Sequence, residues 1–126
     1  MPEPEILQGR RVVALAAALD SAVWPPDSIV LRFASDEALV VGDGDLVVDD
    51  RQALVEEDAS LAAVELPFVE ARDVLARLCD WEWPIPGEFL SQGLMAGIPV
   101  KVWTGPVRVL LIFPSSYLHE VEERLR

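Results

Sequence analysis

Phe68-Val69-Glu70-Ala71-Arg72-Asp73-Val74-Leu75-Ala76-Arg77-Leu78-Cys79 sets Phe68, Ala71, Val74, Leu75, Leu78 and Cys79 at helical spacing, with charged residues between them. A period near 3.6 predicts one amphipathic helix over 68–79 whose apolar stripe turns to a core. Asp73 and Arg77, four apart, form a favourable pair on its outer side. The period changes on either side of this helix. Upstream, Ala62, Val64 and Leu66 alternate within 60–66, the period of two of a half-buried strand. Downstream come three apolar runs, 89–95, 98–103 and 107–113, and Thr104-Gly105-Pro106 turns the last two into a hairpin. Ser115 and Ser116 then offer a cap to a closing helix with the stripe Leu118, Val121 and Leu125, supported by Glu120 and Arg124 at i,i+4.

The first half is patterned less cleanly. Residues 1–9, punctuated by proline, read as a loose lead-in. Arg10 to Ala22 is rich in Ala and Leu and is read as a helix, with a strand opened by Val12 and Val13 as the alternative. Pro25 and Pro26 stop either one. Ile29, Leu31 and Phe33 alternate with Val30 and Arg32, and Ala38 to Val41 returns after the polar turn at 34–37. Leu46-Val47-Val48 is a short apolar run after the turn at 42–45. Asp49 to Asp58 is polar enough for a connection, with a short helical turn at 52–55. Clustered strands with one strong helix between them and one at the end predict an α+β fold. The expectation is a single antiparallel sheet with helices packed on one face, ferredoxin-like, in one domain over 1–126.

Composition narrows the classes of partner. The chain has 126 residues, 52% of them hydrophobic, enough for a packed core. Its net charge is −12, and residues 1–60 hold most of the excess, with 13 Asp and Glu against four Arg. A surface this negative repels phosphate backbones and anionic leaflets, so neither nucleic acid nor membrane is the expected partner. The charge serves solubility, or a docking face for a basic partner, or a mimic of nucleic acid. One cysteine, Cys79, forms no internal disulfide, which points to a reducing compartment. The start of the chain has no basic region ahead of an apolar stretch, and the longest apolar run, Val12 to Leu19, is too short for a membrane helix. The expected location is cytoplasmic.

Several segments resemble those of a known family. Asp58-Ala59-Ser60 with the strand to Leu66, then Glu70-Ala71-Arg72-Asp73-Val74-Leu75-Ala76, resemble the Asp-x-Ser strand and Ala-Arg-x-Val-Leu helix of the gamma subunit of heterotetrameric sarcosine oxidase. That family is akin to the folate-binding domain of the glycine-cleavage aminomethyltransferase. Ser91-Gln92-Gly93-Leu94-Met95-Ala96-Gly97-Ile98-Pro99-Val100 is similar to its Ala-Gly-Val-Pro-Val strand, and Leu31-Arg32-Phe33-Ala34-Ser35-Asp36-Glu37-Ala38-Leu39 to its upstream hairpin. Phe68 and Val69 stand where the family has the glycine and proline of a turn, and Ser35 where it has proline. A Phe is strained at the φ > 0 that a glycine turn allows, so the local backbone is expected to differ. The resemblance implies a folate-binding-domain-like fold and an accessory role, since the cofactor chemistry of such an assembly lies in larger partners. It transfers no catalytic or folate-binding residue to this chain.

The residues able to carry chemistry are few. His119 is the only histidine and shares a helix face with Glu122, Glu123 and Arg126, which reads as a solvated position. Cys79 closes the apolar stripe of the middle helix and reads as a small buried hydrophobe. Asp43, Asp45, Asp49 and Asp50 form the densest acid cluster, but Val47, Val48 and Leu54 spoil a calcium-loop template, leaving a solvated turn. One Cys and one His are too few for zinc. Gly42-Asp43-Gly44 lacks the third glycine and following helix of a phosphate loop. Glu56, Glu57 and Asp58 are adjacent, so at most two share a face. Trp81 and Trp83, in the proline-stiffened Asp80 to Pro86 segment, are the candidate partner contacts, with Trp103 as a possible neighbour. The expectation is a protein with no metal and no cofactor that is not catalytic on its own. It acts by docking to a protein partner or to another copy of itself. The alternatives are a module or one-carbon enzyme component for a folate- or amine-type metabolite, and an acidic nucleic-acid mimic.

Overall fold

Two antiparallel sheets, not one, organise the chain. The computed structural model describes residues 3–78, 89–105 and 108–125. It divides into two compact units, one formed by Met1–Ile6 with Ser60–Arg126 and the other by Leu7–Ala59.

The first unit holds a five-stranded sheet made of β1 (Glu5–Ile6), β6 (Leu61–Pro67), β7 (Phe89–Met95), β8 (Ile98–Thr104) and β9 (Arg108–Pro114), in the order β1-β6-β9-β8-β7. The alternation expected over 60–66 is present: Ala62, Val64 and Leu66 are all fully buried. They share a core with Val109, Leu111 and Phe113 of β9 and Ile98, Val100 and Val102 of β8. Helices α2 (Phe68–Leu78) and α3 (Leu118–Arg124) cover that face with Ala71, Val74, Leu75 and Val121, joined by Leu125 just past the end of α3. Each large aliphatic side chain buried here contributes roughly 1.5–3 kcal/mol of transfer free energy. Glu70 in the first turn of α2 and Arg77 in its last both suit the helix dipole. Phe68 has no positive φ, since β6 ends at Pro67 and α2 begins at once, without the glycine turn of the resembling family.

Three expectations need correction in this unit. Residues 5–6 are not loose: Glu5 pairs with Ala63 and Ile6 with Ala62, which gives β6 a short edge partner. Neither Ser115 nor Ser116 supplies a side-chain cap; Ser115–Tyr117 forms a 3-10 turn leading into α3, and the Ser115 N–H donates to the Ser60 carbonyl. Arg124 donates to the Glu120 carbonyl rather than to its carboxylate.

The second unit is the four-stranded sheet that the sequence did not reveal, with β2 (Gly9–Val13), β3 (Ile29–Ala34), β4 (Glu37–Val41) and β5 (Leu54–Asp58) in the order β3-β4-β2-β5. The single helix read over 10–22 is instead β2 followed by a one-turn α1 (Ala16–Asp20). The Ala and Leu residues lie at 14–19 and do give the short helix, whereas β2 is Gly-Arg-Arg-Val-Val, hydrogen-bonded on both sides by β4 and β5, with Val12 fully buried. The connection and helical turn read at 49–58 end in β5, whose side chains are nearly all exposed. An edge strand without a buried face carries no apolar alternation to detect. Val12, Ala14, Ala18, Leu19 and Val40 form the core here, with Trp24, Leu46 and Val48 packed against it.

Candidate functional site

The outer face of the five-stranded sheet, opposite α2 and α3, carries the most apolar concavity described. Strand alternation sends Leu61 of β6, Ile112 and Pro114 of β9, Pro99 and Lys101 of β8 and Gln92 and Leu94 of β7 to this side. They line a depression of about 450 Å³. Ile112 is fully buried, while Leu94 is 59% exposed. The polar content is concentrated in one pair, in which Lys101 Nζ donates to Gln92 Oε1 at 3.0 Å. Such an apolar trough with one charged group suits a contact partner's side chains or a small amphipathic anion.

A second, polar cleft of about 310 Å³ lies in the other unit, lined by Gln8, Arg10, Asp43, Glu57 and Asp58. The Arg10 Nη2 donates to the Gly42 carbonyl at 3.1 Å. The cleft has no histidine, cysteine or serine in its lining, so it offers neither a thiol or hydroxyl nucleophile nor an imidazole base.

Among the sequence candidates, Cys79, Trp81 and Trp83 lie outside the described residues. Trp103 is half-buried on β8. Its ring lies against the buried Gly105 backbone, where a Cβ would sit 2.7 Å from Trp103 Cζ3. The ring is therefore packed on its own hairpin. His119 is exposed and pairs only loosely with Glu123, Nε2 to Oε1 at 3.4 Å. Among the described residues, no three His, Cys, Asp or Glu side chains gather as a metal site would need. No described helix is long and apolar enough to cross a membrane.

Within the acid cluster, Asp50 has a structural task. Its Oδ2 accepts the Leu15 N–H at 2.9 Å and its Oδ1 the Gln52 N–H at 2.9 Å. These two bonds, Leu15 first, hold its carboxyl below the ordinary value of 3.8, against an opposing effect of desolvation. Nearby, Val23 and Val47 exchange two backbone hydrogen bonds of 2.9 Å. The segment 47–50 thus clasps both ends of α1, which is too short to hold itself. Arg32 grips the same helix, with Nη2 2.9 Å from Asp20 Oδ1.

The outer-face depression is what sequence reasoning missed. The signal was present in the alternation of Gln92 and Leu94, and of Pro99 and Lys101, on paired strands. Compared with known protein families, the sequence matches no family model, and no curated protein matches it.

Proposed function

We propose that this chain is a non-catalytic accessory protein, similar to the sarcosine oxidase gamma subunit, that docks to a larger protein through the outer face of its five-stranded sheet. The observation that carries the proposal is the depression there, apolar in its lining apart from Lys101 and Gln92 and flanked by the exposed Leu94. Exposed apolar surface organised around a concavity is characteristic of interaction sites. The order strand, helix, three strands, helix from β6 to α3 supports the finer kinship to a folate-binding-type fold.

The test is affinity capture from native lysate with the wild-type chain and with Pro99→Glu, which places a charge on the trough at an exposed position. The expected result is a stoichiometric partner retained by the wild type and lost by the variant. Capture of the same proteins by both would refute this face as the dock. A second reading, a module for a folate-type metabolite, is favoured by the Lys101 ammonium beside apolar walls, which would pair with a carboxylate. Titration with folate, followed by backbone chemical shifts, separates the two: shifts confined to Leu61, 92–101 and 112–114 support the metabolite reading, and none refutes it.

A further inference from the structure

The four sheet edges of this protein are not treated alike. β1 is two residues long and carries Glu5. β3 carries Arg32 and a register shift between Arg32 and Ala34. β5 carries Glu56, Glu57 and Asp58. Shortness, charge and irregularity are the ordinary protections against edge-to-edge pairing. The edge strand β7, Phe89-Leu90-Ser91-Gln92-Gly93-Leu94-Met95, has none of them: it is seven residues long, uncharged, free of proline, and in unbroken register with β8.

The geometry of its hairpin fixes which backbone groups face outward. Met95 pairs with Ile98 across the two-residue loop Ala96-Gly97. Both loop residues have positive φ, 48° and 87°, which is the type I′ turn. In such a hairpin the residues flanking the loop form a hydrogen-bonded pair, and bonded pairs alternate along the ladder. Residues 95, 93, 91 and 89 therefore bond to β8, and Leu90, Gln92 and Leu94 direct N–H and C=O to the open edge. Among the described residues, no strand pairs with them.

The sequence of this edge is self-complementary. An antiparallel pairing about Gln92 sets Gln92 opposite Gln92 of a second copy, Leu90 opposite Leu94, residue 91 opposite 93, and residue 89 opposite 95. Leu90 meets Leu94 and amide meets amide, with no like charges opposed. Lys101 lies on β8, so two copies place its backbones three strand spacings apart, about 14 Å, and each ammonium donates to Gln92 Oε1 of its own copy at 3.0 Å. We infer that β7 pairs antiparallel with β7 of a second copy, joining two five-stranded sheets into one continuous sheet across a two-fold axis at Gln92. The three outward pairs exchange about six backbone hydrogen bonds. This goes beyond the docking of a larger partner, which uses the face of the sheet rather than its edge.

The experiment is sedimentation equilibrium of the wild type, Gln92→Pro and Leu94→Lys over a dilution series, with hydrogen exchange of the Leu90, Gln92 and Leu94 amides. Proline at 92 removes an outward N–H without touching the β8 ladder, and lysine at 94 charges the edge. The expected wild type has twice the chain mass, both variants have the monomer mass with unchanged circular dichroism, and amide protection falls on dilution. A monomeric wild type at every concentration, or a dimer that survives both substitutions, overturns the inference. Should the variants fail to fold, exchange in the wild type decides. Amides at 90, 92 and 94 that are protected at all dilutions, or at none, refute the pairing.

Discussion

The turn at Ala96-Gly97 can be tested directly by a pair of substitutions of opposite sign. Ala96 has φ 48°, where a Cβ crowds the backbone at a cost of about 1–2 kcal/mol. Asn tolerates this region far better, so Ala96→Asn, which creates the Asn-Gly pair favoured in type I′ turns, should stabilise by about 1 kcal/mol. Gly97 has φ 87°, and a Cβ there would meet nothing within 4 Å. Gly97→Ala therefore adds backbone strain and no clash. The strain of about 1–2 kcal/mol is offset in part by a smaller unfolded-state entropy, leaving a net loss of about 1 kcal/mol. Both sites are exposed, so neither change is confounded by core packing. With a urea dependence of about 2 kcal/mol per M, each shifts the unfolding midpoint by about 0.5 M, upward for Ala96→Asn and downward for Gly97→Ala. Urea titrations of the wild type and the two variants, followed by circular dichroism, measure this. A destabilised Ala96→Asn, or a neutral Gly97→Ala, would refute the type I′ turn and with it the outward orientation of Leu90, Gln92 and Leu94.

Leu111, fully buried between β9 and the helices, should cost about 2–5 kcal/mol when cut to Ala, while Leu94→Ala at the exposed edge should stay within about 0.5 kcal/mol, both read from urea midpoints. Gly105→Ala should destabilise by about 1–3 kcal/mol, because the new Cβ drives into the Trp103 ring; a neutral result would mean that the ring is not held against the hairpin. Asp50 has a folded-state carboxyl pKa below its unfolded value, so its contribution is full above about pH 4 and is lost as pH falls through the lower folded value. Amide exchange at Leu15 and Gln52 should accordingly quicken only below that range in the wild type, and at neutral pH already in Asp50→Ala, where both acceptors are gone.

The second half of the chain could be read almost element by element because its strands and helices each bury one face. Val64 and Leu66 beside Ala62, or Val74 and Leu75 beside Ala71, leave a period that survives without coordinates. The first half resisted because its stability is not written on one face. β2 reads as joined to a helix by the Ala and Leu that follow it at 14–19, yet it is the strand bonded on both sides. β5 exposes Leu54, Val55, Glu56 and Glu57 alike, so no pattern marks it. The candidate contacts chosen for their aromatic character divide similarly: Trp103 is packed against Gly105, a relation between residues that composition does not encode. The outer-face depression went unread because it draws on four strands whose order, β6-β9-β8-β7, is not their order along the chain.

What the amino-acid sequence settled by itself was the α+β class, the antiparallel strands from residue 61 to 114, and the two helices that cover them, since local period and turn residues dictate these. What only the tertiary structure decided was the second sheet, the clasp at Asp50, and the edge at β7. Backbone hydrogen bonds are common to every residue type, so which strand bonds to which leaves no mark on side-chain chemistry. Those pairings become visible only once distant segments are brought side by side.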